Sequence, residues 1–157
     1  MGKGILVIVP TYSPNIGGVE SHLGDLVKEL GRRDYKVYVH TYSPITTSGV
    51  KWLPLEKSNN TEIRRYRWFG KNLLHKIEKI PLLDFLYITP YLFIRVFVFM
   101  LFNKNKINVI HAHGFNAALI GMILKKIFRK RLFLSVHAIY EISLKSKTAN
   151  ITKTILL

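Results

Sequence analysis

The chain has 157 residues, of which 48% are hydrophobic, a length and composition that predict one globular domain with a substantial core and exclude a disordered chain. It contains no cysteine, so disulfide bonds and thiol catalysis are excluded. Lys and Arg number 24 and Asp and Glu number 9, and the resulting net charge of +15 favours anionic partners such as phosphorylated substrates, acidic lipids or nucleic acid.

The first forty residues predict a strand, a glycine turn, a helix and a second strand. The apolar run Ile5–Val9 is typical of a strand buried on both faces, and a similar run follows at Tyr35–Thr41. Between them, Gly17 and Gly18 precede a helix predicted over 18–31 from apolar residues at helical spacing. We expect the glycines to permit the turn and a close approach to a ligand. The N–H groups at the helix start favour an anion there.

The middle of the chain predicts shorter elements. Residues 42–61 are loop-like in composition, with a short strand around 50–55. A further strand is predicted over 62–68, and helices are predicted over 71–80 and 87–102.

Residues 80–102 are apolar enough and long enough to suggest a membrane span, but Asp84, Pro90 and Arg95 interrupt them. Three interpretations stay open: a pair of core helices broken at Pro90, a helix lying in the membrane interface, and a true span. We expect Pro90 to prevent one continuous helix. Basic residues surround the stretch: Arg64, Arg65, Arg67, Lys71, Lys76, Lys104 and Lys106.

The opening pattern recurs in the last third of the chain. Buried strands are predicted over 108–113 and 131–137, with a helix over 114–128 between them and another starting near Ser143. This alternation predicts an α/β fold: a Rossmann-like, doubly wound, mostly parallel sheet with helices on both faces.

Ligands of such sheets bind at the carboxyl ends of the strands, so the residues that follow the apolar runs are the candidate site residues. They are Gly17, Gly18, His111, His113 and His137. His111 is interpreted as a packed, hydrogen-bonded residue, whereas His113 and His137 are as well placed for function as for packing. The two histidines at 111 and 113 share a strand face, but no third zinc ligand is suitably spaced. The three aspartates include no D-x-D pair, so no metal is expected.

Three segments together resemble the N-terminal domain of family 4 retaining glycosyltransferases. They are Asn15-Ile-Gly-Gly-Val-Glu-Ser-His22 with its helix and following strand, Val109-Ile-His-Ala-His-Gly114, and Leu134-Ser-Val-His137. The resemblance covers about residues 3–157. The first segment also resembles enzymes that transfer N-acetylglucosamine to phosphatidylinositol.

The resemblance implies a GT-B architecture, in which two Rossmann-like domains face each other across a cleft. It implies retaining transfer from a nucleotide sugar to a lipid or glycan acceptor, with no metal cofactor. Gly17 and Gly18 would lie near the donor diphosphate, and His137 would lie by the transferred sugar as the catalytic candidate. The acceptor-side candidates are Glu20, His22 and His113.

The family's second, donor-binding domain has no counterpart in these residues. We therefore expect residues 1–157 to be a single acceptor-side domain that is incomplete at its C-terminus, inactive alone, and peripheral at the cytoplasmic face of an anionic membrane. The alternatives are a non-catalytic subunit and a basic α/β domain that binds a phosphorylated ligand or nucleic acid. No nucleic-acid-binding signature is visible, so a nucleic-acid partner is not expected.

Overall fold

The computed structural model describes residues 3–68 and 81–135. The strands within them are β1 (Gly4–Ile8), β2 (Lys36–Tyr42), β3 (Leu55–Ser58), β4 (Thr61–Tyr66), β5 (Val109–His113) and β6 (Arg131–Ser135). The helices are α1 (Gly18–Arg32), α2 (Pro81–Asn103) and α3 (Phe115–Phe128).

The six strands form one sheet in the order β3-β4-β2-β1-β5-β6. All neighbours are parallel except β3 and β4, which form an antiparallel hairpin at the edge. The chain starts at β1, moves outward through β2 to the β3–β4 hairpin, and then crosses to β5 on the other side of β1. This crossing creates a switch point between β1 and β5, and the predicted doubly wound α/β fold is confirmed.

Helices cover both faces of the sheet, and the central strand β1 supplies both cores. Leu6 and Ile8 lie in the core under α2 and α3, whereas Ile5 and Val7 lie in the core that α1 covers. Because successive strand residues point to opposite faces, a strand buried on both sides needs a continuous apolar run. Each such Leu or Ile, when fully buried, stabilises the fold by about 1.5–3 kcal/mol.

The edge hairpin differs from the sequence-based prediction. The sequence predicts a short strand around 50–55. The observed strand, β3, instead runs over Leu55–Ser58 and pairs with β4. Its sequence, Leu-Glu-Lys-Ser, is mostly exposed and has no alternating apolar pattern. Its position is fixed by pairing with β4 across the turn at Asn59 and Asn60, which a local pattern does not reveal.

The prediction that Pro90 breaks the apolar stretch is wrong. α2 is continuous over Pro81–Asn103 with Pro90 inside it. Proline lacks an N–H group, so the carbonyl of Leu86 loses its usual helical partner. Both Pro90 and Leu86 are exposed, so water can bond that carbonyl. On the buried side, the hydroxyl of Tyr42 donates a hydrogen bond to the carbonyl of Ile88 and ties this turn to the sheet.

Some predictions lie outside the described residues. They are the helix over 71–80, the last two residues of the strand over 131–137, and the helix starting near Ser143. The catalytic candidate His137 also lies outside them.

Candidate functional site

The candidate site lies at the carboxyl edge of the two central strands. β1 and β5 are parallel neighbours in register, with Ile8 opposite Ala112. The loops that follow them therefore leave the sheet at the same edge. One leads through Gly17 into α1, and the other leads through Gly114 into α3. The structure thus brings together two of the three predicted segments at the switch point, where ligands of such sheets bind.

The predicted reason for the two glycines needs correction. Gly17 has an extended backbone, with φ 178°, and Gly18 begins the helix, so neither needs a conformation reserved for glycine. A Cβ built on Gly18 meets no atom within 4 Å. Position 18 would therefore tolerate a side chain, whereas a side chain at position 17 would have to displace the Glu20 carboxylate. By contrast, Gly114 has φ 82°, a conformation that side chains disfavour.

Glu20 occupies the space beside Gly17. A Cβ built on Gly17 would lie 2.2 Å from Oε2 of Glu20, so this carboxylate folds back over the start of α1. A negative charge in the first helical turn is stabilised by the helix dipole and by N–H groups that lack helical partners. The same position would attract the phosphate of a ligand. Glu20 and a phosphate placed there would therefore compete for one end of α1.

Asn15 lies in the segment between β1 and α1, residues 9–17, which we call the glycine loop, and holds it in place. Its side chain is buried, and its Oδ1 accepts hydrogen bonds from the Thr46 N–H at 3.1 Å, the Thr46 hydroxyl at 2.7 Å and the Thr47 N–H at 3.3 Å. Its Nδ2 donates to the carbonyl of Tyr12 at 3.1 Å. The N–H of Ile16 donates in turn to the Thr47 hydroxyl at 3.0 Å. This network joins the glycine loop to the loop that follows β2.

Arg65 holds the same loop from the sheet. Its side chain is only 3% exposed, and Nη2 and Nε donate to the carbonyl of Ser13 at 2.6 and 3.1 Å. Its Nη1 lies 2.7 Å from Oε1 of Glu56, which neutralises the buried charge. Arg65 therefore belongs to the site's supporting structure and is shielded from solvent.

The two strand histidines lie together at the end of β5. The rings of His111 and His113 are 4.1 Å apart on the sheet face that α1 covers, and His113 is 2% exposed. Nε2 of His111 lies 2.8 Å from the hydroxyl oxygen of Ser135 on β6. The interpretation of His111 as a packed, hydrogen-bonded residue is confirmed. The burial of His113 places it beneath the site edge, not on its surface.

Burial also determines the charge state of Tyr12, a residue of the glycine loop. Burial of Tyr12 raises its pKa to about 12, with the nearby positive charge of Arg65 opposing part of the increase, so Tyr12 remains a neutral phenol.

His22 lies exposed on the first turns of α1, one turn beyond Gly18. Within residues 3–68 and 81–135, no three His, Asp or Glu side chains converge as metal ligands would.

Residues 16–155 match the sequence profile of Glycosyltransferase Family 4. The chain belongs to glycosyltransferase family 4. The match begins at the glycine loop and extends through the β5 segment, so it covers the elements that form the switch point. No sequence among the curated proteins matches this family 4 domain.

Two solved structures share the fold of this family 4 domain. Sucrose-phosphate synthase from Thermosynechococcus elongatus aligns with a TM-score of 0.58 at 13% identity, over 98% of this chain and 40% of that protein. Trehalose-6-phosphate synthase from E. coli, bound with UDP-2-fluoro glucose, aligns with a TM-score of 0.55 at 13% identity, over 95% and 37%. Both are GT-B glycosyltransferases. The family 4 domain spans about two fifths of each.

Sequence reasoning missed Asn15 and Arg65 as the residues that hold the glycine loop. Asn15 was visible only as the first residue of a motif, and Arg65 only as one of several basic residues. A signal for Arg65 existed in the strand alternation, because Arg65 shares a face with the packed residue Ile63. The partner of its charge, Glu56, lies on a strand that the sequence did not place.

Proposed function

We propose that this chain is the N-terminal, acceptor-side domain of a retaining glycosyltransferase. It would take part in moving a sugar from a nucleotide sugar to a lipid or glycan acceptor at the cytoplasmic face of a membrane. Membership of family 4 and the fold shared with two GT-B glycosyltransferases support the reaction class. The observation that carries the proposal is the open space beside Gly18, at the start of α1 and at the switch point beside β5.

The glycine loop would stabilise the nucleotide diphosphate, which is the leaving group of the reaction. As the bond to the transferred sugar breaks, negative charge develops on the nucleotide diphosphate. The N–H groups of Gly18 and the next residue point out of the helix start, and a fixed donor aimed at developing charge lowers the barrier to reaction. Because a Cβ at Gly18 would fill open space, glycine is expected there to admit a phosphate to the backbone.

The acceptor-side residues would act from the same edge. Glu20 and His22 lie on the first turns of α1 and would contact a molecule in the cleft between the two domains, and His113 would support the edge from below. Donor binding would displace the Glu20 carboxylate from the start of α1, because two anions cannot share that position. The displaced carboxylate would then be free to contact an acceptor hydroxyl. We propose no metal, since the sequence contains no D-x-D pair.

The purified chain should not turn over nucleotide sugars, whereas an enzyme that joins it to a family 4 donor-binding domain should do so in the presence of a chelator. The reason is that the proposed half-site supplies few contacts to the donor. The measurement is release of nucleotide diphosphate from a panel of nucleotide sugars. Robust transfer by the chain alone would contradict its assignment as one half of an active site. Ligand binding without transfer by the joined enzyme would favour the non-catalytic subunit.

Replacing His137 by Ala in the joined enzyme should lower kcat with little change in KM or melting temperature. Resemblance puts His137 beside the transferred sugar, and an interaction made only in the transition state affects turnover more than substrate binding. Steady-state kinetics and thermal unfolding of both proteins are the measurements. His22→Ala is the matched control on the acceptor side and should raise KM for the acceptor instead. An unchanged kcat in His137→Ala would remove the catalytic role.

A further inference from the structure

We propose that the outer face of α2 and the Arg64–Arg95 pair form a docking site for a bilayer that contains anionic phospholipids. The inference deepens the proposed membrane localisation by naming the surface and the headgroup chemistry. It rests on the proposed function only in placing that bilayer at the cytoplasmic face.

The outer face of α2 is a continuous apolar stripe. Its exposed apolar residues recur at intervals of three or four along the helix, so they share one side. They are Leu83, Leu86, Pro90, Ile94, Val98, Leu101 and Phe102. Phe102 is 81% exposed, a high value for an aromatic side chain. A helix of 23 residues is about 34 Å long, so the stripe runs along most of one side of α2.

A cavity of about 250 Å³ opens beside the second half of this stripe, with two arginines at its edge. The Arg64 guanidinium lies 5.1 Å from the ring centre of Phe99, and the Arg95 guanidinium lies 4.6 Å from that of Tyr66. A guanidinium carries five N–H donors, so each arginine keeps further N–H groups beside its aromatic contact, even though Arg95 also hydrogen-bonds the Tyr66 side chain. The cavity thus combines an apolar wall with two oriented donors of the kind that bind phosphate.

The charge of this surface favours an anionic partner. Within the described residues no carboxylate forms an ion pair with Arg95, and Arg64 uses its Nε in a hydrogen bond to Glu62 at 2.6 Å. Glu62 also lies 3.8 Å from Nζ of Lys57, so the surrounding charge remains positive. Between Phe85 and Asn103 the helix carries no acidic residue.

The neighbouring helix, α3, also exposes apolar and positively charged side chains. α3 packs beside α2 on this side of the sheet and exposes both apolar residues and lysines. They are Met122, Ile123, Ile127, Lys125 and Lys126. Apolar side chains among basic ones are typical of surfaces that enter the headgroup region of an acidic membrane.

The inner face of α2 favours surface attachment over a membrane span. The stretch Phe85–Asn103 is long and apolar enough to cross a membrane by length and composition, but 33% of its most apolar window is buried. Leu92, Val96 and Met100 are fully buried against the sheet. Moving α2 into a bilayer would expose that core. Attachment by the outer stripe leaves the core intact and keeps the arginines at the level of the phosphates.

The test is sedimentation of the purified chain with vesicles. It should bind vesicles of phosphatidylcholine with phosphatidylglycerol, bind pure phosphatidylcholine poorly, and bind less at high salt. The double change Arg64→Gln and Arg95→Gln should lower the partition coefficient about 30-fold, because each basic residue near an acidic surface adds about 1 kcal/mol. Lys28→Gln with Arg32→Gln on α1, across the sheet, removes the same charge and should leave binding unchanged.

A second variant tests the stripe without altering charge. Val98→Ser with Phe102→Ser changes two exposed residues and should abolish binding, with circular dichroism confirming the fold. Phe99 is unsuitable for this test because it is 6% exposed and belongs to the core. Extraction at alkaline pH should release the chain from vesicles, and retention would overturn surface attachment in favour of a span.

Several outcomes would overturn the proposal. They are equal losses in the Arg64/Arg95 and Lys28/Arg32 double variants, displacement from vesicles by inorganic phosphate at constant ionic strength, and absence of vesicle binding by a chain that dimerises through the stripe. The assay contains neither donor nor acceptor, so its result is independent of transfer. A chain that binds vesicles but supports no transfer when joined to a donor domain would contradict the proposed function alone.

Discussion

Replacing Gly18 by Val should lower transfer by the joined enzyme about 10²–10³-fold, the usual effect of removing one fixed donor to developing charge. The Val side chain would fill the open space beside the start of α1 and keep a phosphate away from the backbone. Stability should not fall, because Gly18 has a helical backbone and Val has a higher helix propensity than Gly. Initial rates and urea unfolding of the same preparations separate the two effects.

Gly24→Val is the matched control for this experiment. Gly24 lies in the same helix, and a Cβ there also meets no atom within 4 Å, but it is nearly two turns from the helix start. The control should therefore retain transfer. Equal transfer by the Gly18 and Gly24 variants would contradict a phosphate role for the glycine loop. Unfolding of the Gly18 variant would instead return Gly18 to a structural role.

The chain should lose about 4–5 kcal/mol of stability between pH 6.5 and pH 3 through His40 alone. His40 is fully buried on β2, and burial, aided by the positive charges of Arg64 and Arg95, lowers its pKa from 6.5 to about 3. Below pH 6.5 the unfolded chain therefore binds a proton that the folded chain does not. The free energy of unfolding then falls as the pH falls, by about 1.4 kcal/mol per pH unit.

The measurement is urea unfolding of wild type and His40→Gln at several pH values from 7 to 4. Nδ1 of His40 lies 2.5 Å from the hydroxyl oxygen of Tyr66, and a Gln amide can replace this hydrogen bond without titrating. The variant should lose the steep part of the pH dependence, whereas His22→Gln, at an exposed position, should keep it. Parallel curves for wild type and His40→Gln would show that another group dominates acid unfolding.

The sequence predicts the centre of the fold well because the central parallel strands are largely buried on both faces. The expectation that β6 is also buried is wrong, because β6 is parallel to β5 but lies at the edge of the described sheet and is mostly exposed. β1, β2 and β5 each appear as short apolar runs, and an order of strand, glycine, helix repeats at β1 and β5. The shared carboxyl edge follows from that topology alone. Gly17, Gly18 and His113 could therefore be placed at one edge before any contact was known.

The rest depends on contacts that no local pattern encodes. β3 exists because it pairs with β4, and α2 remains one helix with Pro90 on its exposed side while its opposite side packs on the sheet. Arg64 and Arg65 lie on opposite faces of β4 because side chains alternate along a strand. Arg64 is partly exposed, whereas Arg65 is buried and hydrogen-bonded to Ser13. Asn15 could be predicted as a turn residue, but its bonds to Thr46 required the tertiary structure.

The attachment of the glycine loop at two points has a consequence for the entropy of donor binding. A flexible loop that closes on a ligand loses conformational freedom when it does so, about 1–2 kcal/mol of free energy for each backbone residue fixed. Arg65 already holds the carbonyl of Ser13, Asn15 is bonded to Thr46, and the Thr47 hydroxyl accepts from the N–H of Ile16, so residues 13–16 are fixed before any ligand arrives. The donor would therefore meet a loop whose ordering was completed during folding, and the interaction energy of its phosphates would go into binding and not into organising the chain.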